Sequence, residues 1–168
     1  TRGLPACLPL LQVAGRQLWD RRDEERRLLL VAAYDRIGGV GGALAAHADD
    51  VLSGLSPELQ RLARKLLLRL VTAERTRRVV ALPELLAVDP AATEVLEPLV
   101  DARLLTRRRG PGGAAVVELS HEALISHWGR LGRWLDEDRE EHRFVAELDE
   151  AARLWSKRGR SESEVWQG

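Results

Sequence analysis

The sequence has a single cysteine, no methionine and few aromatic side chains. With Cys7 alone, no internal disulfide can form, which fits a reducing compartment and predicts a cytoplasmic protein. The absence of methionine, even at the first position, predicts that the chain is a piece of a longer protein. No apolar run approaches the roughly 20 residues that a membrane span needs, and no signal peptide is present.

Neither sign of charge is in excess, since Lys plus Arg number 26 and Asp plus Glu also number 26. Proteins that bind nucleic acids or membrane surfaces are usually clearly basic, so this balance argues against both classes and leaves room only for a local basic patch. Hydrophobic residues make up 45% of the 168 positions. The chain can therefore fill one ordinary core or two small ones.

The motifs of a self-contained catalytic centre are missing. No G-x-x-x-x-G-K-[ST] phosphate loop occurs, because the glycine run Gly38–Gly42 lacks the Lys-Ser/Thr that should follow, and this run predicts a turn. No acidic Mg²⁺ site follows a hydrophobic strand, so we expect no ATP hydrolysis by this chain alone. The histidines lack the spacing of metal ligands, and the Ser-His pairs at 120–121 and 126–127 lack an oxyanion loop. We therefore predict neither a metal site nor a hydrolase centre.

Helical periodicity dominates what is present, and the fold is predicted to be mainly α. Ser56 followed by Pro57 is a strong helix start, because Ser is a good N-cap and Pro suits the first helical turn. Apolar stripes at helical spacing also occur before and after this helix. They run through Cys7–Leu18, Leu44–Leu55, Leu59–Leu70 and Phe144–Trp155.

The order of elements after Ser56 predicts a winged helix, the variant of helix-turn-helix in which a β-hairpin forms the wing. A helix is followed by a short strand, two further helices and two extended runs around Gly110-Pro111-Gly112-Gly113. The predicted segments are a strand at Thr76–Leu82, helices at Pro83–Val88 and Pro90–Arg103, and hairpin strands at Leu104–Arg109 and Ala114–Leu119.

The segment Val116–Asp138 carries the most specific signal. A strand pattern ends at Ser120-His121-Glu122, and a single amphipathic helix, Glu122–Glu141, is predicted to follow, with Ser120 as its N-cap. A histidine in a first helical turn lies near free backbone N–H groups, a setting that suits an anion such as phosphate. A neutral imidazole there could donate one N–H to a phosphate oxygen. The alternative is that His121 only packs between wing and helix.

Basic residues cluster in the wing, where Arg107, Arg108 and Arg109 could contact phosphate or DNA. The helix in the recognition position argues against base readout, because its side chains are mainly acidic and phosphates repel them. It carries Glu94, Glu97 and Asp101 against Arg103 alone.

ELSHEALISHWGRLGRWLDEDRE (residues 118–140) resembles the region that follows the nucleotide-binding core of bacterial STAND NTPases of the novel type, the signal-transduction ATPases with numerous domains. LPLLQVAGRQLW, AAYDRIGGVGGALAAHAD and LVDARLLT, which begin at Leu8, Ala32 and Leu99, are similar to the same family. The resemblance covers nearly the whole chain, and the order and spacing of these short motifs are fairly specific.

The resemblance implies a division into residues 1–54, a helical lid-like subdomain, residues 55–141, the winged helix, and residues 142–168, a helical arm. It implies that His121 senses the β-phosphate, with Ser120-His121-Glu122 in place of the Met-His-Asp motif of immune receptors. Only the histidine of that motif is carried over. Gly3-Leu4-Pro5 and Leu8-Pro9-Leu10-Leu11 both resemble the lid motif, so Pro5 and Pro9 are both candidates to lie near the nucleotide.

A regulatory function follows from this resemblance. The winged helix is expected to close over ADP or ATP, with Mg²⁺, in an adjacent P-loop ATPase core of the parent protein, and to relay the switch to a C-terminal sensor such as a WD-repeat propeller. Homo-oligomer formation on activation is a further expectation, whereas nucleic acid and membrane partners are not expected. Two alternatives stay open: a DNA-binding winged helix of a transcriptional regulator, and a purely structural scaffold between domains.

Overall fold

A computed structural model describes residues 8–157, which are mainly helical with one small antiparallel sheet of three strands, as predicted for the fold class. The helices of this range are α1 (Leu8–Asp20), α2 (Val31–Arg36), α3 (Gly39–Ser53), α4 (Pro57–Arg69), α5 (Leu82–Leu86), α6 (Ala92–Asp101), α7 (Ala123–His127) and α8 (Gly129–Lys157). The strands are β1 (Val80–Ala81), β2 (Leu105–Arg109) and β3 (Ala115–Leu119).

The chain divides into two compact units, residues 1–133 and residues 134–168. The first unit contains α1 to α7, the sheet and the start of α8, and it holds the buried apolar core. The second consists, as far as it is described, of the rest of α8. Helices on both sides of residue 54 belong to the first unit, and the predicted boundaries after residues 54 and 141 stay predictions.

Local signals determine α4. The Ser56 hydroxyl accepts a hydrogen bond from the Leu59 N–H at 3.3 Å, and Pro57 occupies the first turn, as expected from the sequence. The apolar face of the helix is buried through Leu62, Ala63, Leu66 and Leu67. Burial of one leucine side chain stabilises a fold by about 1.5–3 kcal/mol, so the leucines of this face anchor α4 in the core.

The sheet has the order β1-β3-β2, with β3 in the middle. The hairpin of β2 and β3 runs from the pair Leu105–Leu119 to the pair Arg109–Ala115, close to the predicted bounds. The predicted strand Thr76–Leu82 is wrong in extent, because only Val80 and Ala81 are strand. The first residues of the predicted strand belong to a tight turn, in which the Thr72 N–H donates to the Thr76 carbonyl at 2.9 Å. Its last residue, Leu82, already belongs to α5.

The glycine run Gly38–Gly42 is not the simple turn that the sequence predicts. Gly38, with φ +71°, precedes α3, and the remaining glycines form the first turn of that helix. A Cβ atom on Gly41 would lie 2.5 Å from the imidazole ring of His127 in α7. The missing side chain therefore allows α7 to pack closely against α3, a requirement that comes from tertiary contact and not from turn chemistry.

The predicted single helix Glu122–Glu141 is also wrong, because the chain breaks at Trp128 into α7 and α8. Trp128 has ψ +94°, outside the helical range, and its ring is fully buried. The indole Nε1–H donates to the Asp49 Oδ1 atom of α3 at 2.8 Å. Burial of a large ring with its one donor satisfied outweighs the local preference for a continuous helix.

We predict that Asp49→Ala lowers the free energy of unfolding by about 1–3 kcal/mol, because the buried indole N–H loses its acceptor. The measurement is urea denaturation of the wild type and the variant. Asp50→Ala is the matched control, since Asp50 is an exposed neighbour in the same helix. Equal losses in the two variants would contradict a specific role for the bond between Trp128 and Asp49.

We predict a second effect at Gly41. Gly41→Ala should destabilise the protein by about 1 kcal/mol, because overpacking against His127 exceeds the gain in helix propensity. Gly15→Ala in α1, which meets open space, should instead stabilise it by about 0.5–1 kcal/mol. In a double-mutant cycle, His127→Ala should remove the penalty of Gly41→Ala, and a penalty that persists would place its cause elsewhere.

Candidate functional site

A cavity of about 940 Å³ lies in the first unit, between α1, α3, the end of α6, the start of β2 and the residues after β3. Its lining brings together residues that are far apart in the sequence, among them His121. The charged and titratable residues of the lining are Arg16, Asp20, His47, Asp50, Asp101, Arg103, Arg107 and His121. Three arginines and three aspartates balance, so the cavity as a whole favours neither sign of charge.

His121 lies between β3 and α7 and is half-buried. Its Nδ1 atom accepts a hydrogen bond from the Ala123 N–H at 3.0 Å. Because an accepting nitrogen carries no proton, the neutral ring holds its proton on Nε2, which is then a donor. The imidazole thus satisfies one free N–H at the start of α7, and it keeps a second polar atom for another partner.

The predicted N-cap role of Ser120 is wrong. The residue before α7 is Glu122, whose side chain makes no capping bond, and His121 supplies the acceptor instead. The Ser120 N–H donates to the Leu104 carbonyl at 2.9 Å and so extends the β2–β3 ladder by one bond. The hydrogen bond to Leu104 places Ser120 at the end of the sheet, two residues before the N-cap position of α7.

An ion pair holds the other side of this turn. Arg77 Nε lies 2.9 Å from Glu122 Oε2, and Arg77 Nη1 donates to the Leu119 carbonyl at 3.3 Å. The sequence analysis assigned no role to Arg77, because the two partners lie more than forty positions along the chain. Two bonds from one guanidinium therefore support the residues on both sides of Ser120-His121.

His47 holds the residues that follow α6, which line the cavity together with His121. Its Nε2 atom lies 3.1 Å from the carbonyl of Ala102, the C-cap residue directly after α6. The ring nitrogen donates and the carbonyl accepts. Gln17 in α1 similarly donates to the Ala43 carbonyl of α3 at 3.1 Å. These bonds join α1, α3 and α6 around the cavity, and neither could be predicted from local spacing.

Neither of the two candidates for the lid proline has a described side chain. Pro5 lies outside the described residues, and Pro9 lies in α1, where only its backbone is described. From α1 the cavity lining includes Gln12, Arg16, Gln17 and Asp20. The assignment of a lid proline stays a prediction.

The arginines of the β2–β3 hairpin mostly form ion pairs within the fold. Arg107 lies 2.6 Å from Glu97 of α6, and Arg108 lies 2.7 Å from Glu118 of β3. Arg109 is exposed and forms no ion pair within residues 8–157. Exposed pairs contribute little stability, yet they reduce the positive charge that the hairpin offers to phosphates. Of the three arginines, only Arg107 also lines the cavity.

The described residues lack both a metal-binding cluster and a membrane-spanning helix. Residues 8–157 contain no group of three or more His, Cys, Asp or Glu side chains placed to hold a metal ion. In the same range, no helix combines the length and the apolar character that crossing a membrane would require.

We predict that the capping bond of His121 contributes to stability independently of any ligand. His121→Ala should lower the free energy of unfolding by about 0.5–2 kcal/mol, the usual effect of losing an N-terminal cap. His121→Asn should stay within about 0.5 kcal/mol of the wild type, since an amide oxygen can accept the Ala123 N–H. Urea denaturation measures both, and equal losses would show that the bond to Nδ1 is unimportant.

No curated protein and no solved structure matches this chain. A family model with the description Novel STAND NTPase 1 matches residues 1–163, which is nearly the full length. This match confirms the resemblance found in the sequence motifs, and it covers α1, the sheet, the cavity lining and the described part of α8 alike. The chain belongs to the novel STAND NTPase 1 family.

Proposed function

We propose that this chain is the regulatory part of a multidomain signal-transduction ATPase, in which residues 1–54 act as a lid and residues 55–141 as a winged helix over a nucleotide. The nucleotide, ADP or ATP with Mg²⁺, is held by an adjacent P-loop core of the same protein. Hydrolysis belongs to that core, and this chain supplies no catalytic residue.

The order of elements supports the winged-helix part of the proposal. Helix α4, strand β1, helices α5 and α6, and the hairpin of β2 and β3 follow one another along the chain. The first strand pairs with β3, so the hairpin is joined to the helical part through one sheet. In this arrangement α6 occupies the recognition position and β2–β3 the wing.

The observation that carries the functional proposal is the state of His121. Its Nδ1 atom is occupied by the Ala123 N–H, so the Nε2–H of the neutral ring is the donor left for a ligand at the cavity. A neutral N–H donor suits the β-phosphate of a bound nucleotide, because it stabilises the oxygen without a permanent charge. If His121 contacts the phosphate only in the closed form of the protein, this contact stabilises the closed form relative to the open one.

Helix α8 is the element we propose to relay the change. It begins at Gly129, directly after Trp128, whose indole is bonded to α3. A displacement of the segment from His121 to Trp128 would therefore reach the first turn of this 29-residue helix. Beyond it, we propose a C-terminal repeat sensor, such as a WD-repeat propeller, and homo-oligomer formation on activation.

The test uses the full-length protein, from which retained nucleotide is identified by chromatography. We expect the wild type to retain ADP and His121→Asn, which keeps the capping acceptor but has no Nε2–H, to release it about tenfold faster, the effect of losing roughly 1.4 kcal/mol of binding free energy. His142→Asn is the matched control, because His142 is an exposed histidine outside the cavity, bonded to the Asp138 carbonyl.

Retention that is equal in wild type, His121→Asn and His142→Asn would overturn the proposal. His121 would then be a capping residue only, and a purely structural scaffold would explain the chain better. Duplex DNA binding that is salt-sensitive and lost on changing Arg109 would favour a transcriptional regulator instead.

A further inference from the structure

Arg103 adopts a backbone conformation that usually belongs to glycine. It follows α6 with φ +59°, in the left-handed region. The Arg103 N–H donates to the Val100 carbonyl and the Leu104 N–H to the Leu99 carbonyl, both at 2.9 Å, which is the Schellman pattern of a helix end. Glycine is favoured at this position because a side chain there costs free energy. The fold therefore bears a backbone cost at Arg103, as it also does at Arg27 and Arg75, and of these three residues only Arg103 lines the cavity.

The sheet places Arg103 beside His121. The β2–β3 ladder pairs Leu105 with Leu119, and the bond from the Ser120 N–H to the Leu104 carbonyl continues this register by one residue. Arg103 and His121 are the next residues on the two segments, and both line the cavity. Both residues thus lie directly beyond the last bonded pair of the hairpin, on two segments that line the same cavity.

The segment that carries Arg103 is also hydrogen-bonded to α3. His47 of α3 donates to the Ala102 carbonyl, the residue directly before Arg103. Within residues 8–157, no hydrogen bond or ion pair occupies the Arg103 guanidinium, whereas the neighbouring Arg107 is paired with Glu97. The backbone of Arg103 is therefore already positioned and its guanidinium is available, so binding a ligand requires the ordering of the side chain only.

We propose that Arg103 is a second ligand of the nucleotide diphosphate, beside His121, a proposal that rests on the function proposed above. A guanidinium binds phosphate oxygens through two parallel N–H donors, and it adds the positive charge that a neutral imidazole lacks. Asp20, Asp50 and Asp101 line the same cavity, so its net charge attracts no anion. Selection of the diphosphate therefore depends on these two adjacent donors.

The test measures the dissociation rate of a fluorescent ADP analogue from the full-length protein, together with its unfolding temperature with and without ADP. Arg103→Gly removes the guanidinium and also relieves the left-handed backbone, so we expect a nucleotide-free protein at least as stable as the wild type. We expect ADP to dissociate about tenfold faster, as is usual when a charge-assisted hydrogen bond is lost. Arg103→Lys should recover part of the difference, because it restores the charge without the paired donors.

Arg27→Gly is the matched control. Arg27 is also left-handed, with φ +55°, and it does not line the cavity. This variant should release the analogue at the wild-type rate. Asp101→Asn should slow the release, since it removes a carboxylate from the lining next to Arg103.

The outcomes separate the two proposals. If His121→Asn releases ADP faster while Arg103→Gly matches the wild type, the role of Arg103 is overturned and the switch function stands. If neither variant differs from the wild type, or the wild type binds no ADP, both proposals are overturned. If Arg103→Gly lowers the unfolding temperature equally with and without ADP, Arg103 binds a carboxylate of the protein, and its role as a phosphate ligand is overturned.

Discussion

The hydrogen bond between the Trp128 indole and the Asp49 carboxylate organises the first unit of this chain. It joins α3 to the junction of α7 and α8, so the one buried ring ends one helix and precedes the next. The close approach at Gly41 and His127 lies at the same contact between α3 and α7. Because α3 also carries His47 and part of the cavity lining, the geometry of the site depends on how α7 is held against it.

Much of the fold could be predicted where the determinants are local. The start of α4 follows from Ser56 and Pro57, and the hairpin follows from two extended runs around Gly110–Gly113, since each signal acts within a few residues. The long apolar stripes gave the mainly helical class for the same reason. The nucleotide-sensing role of His121 stays a prediction, which rests on a resemblance in motifs and on its position before a helix.

Most of the errors arise from contacts between distant segments, whereas the strand at Val80–Ala81 is shortened by a local turn between Thr72 and Thr76. The Ala123 N–H donates to His121 and not to Ser120, because the Ser120 backbone is hydrogen-bonded within the sheet. The glycines at 38–42 form a helix start because another helix must approach them, and a break occurs at Trp128 because its ring is needed in the core. Tertiary packing overrides local propensity in these cases. Arg77 and His47, which support the site, were missed because their partners are remote in sequence.

The paired arginines of the hairpin have a consequence for selectivity. Arg107 and Arg108 carry their counter-charges on Glu97 and Glu118, on neighbouring elements of the same fold. An external polyanion would have to displace these carboxylates before it could use the guanidinium groups, and it would also meet their repulsion. The hairpin therefore offers less available positive charge to nucleic acids than its three consecutive arginines suggest.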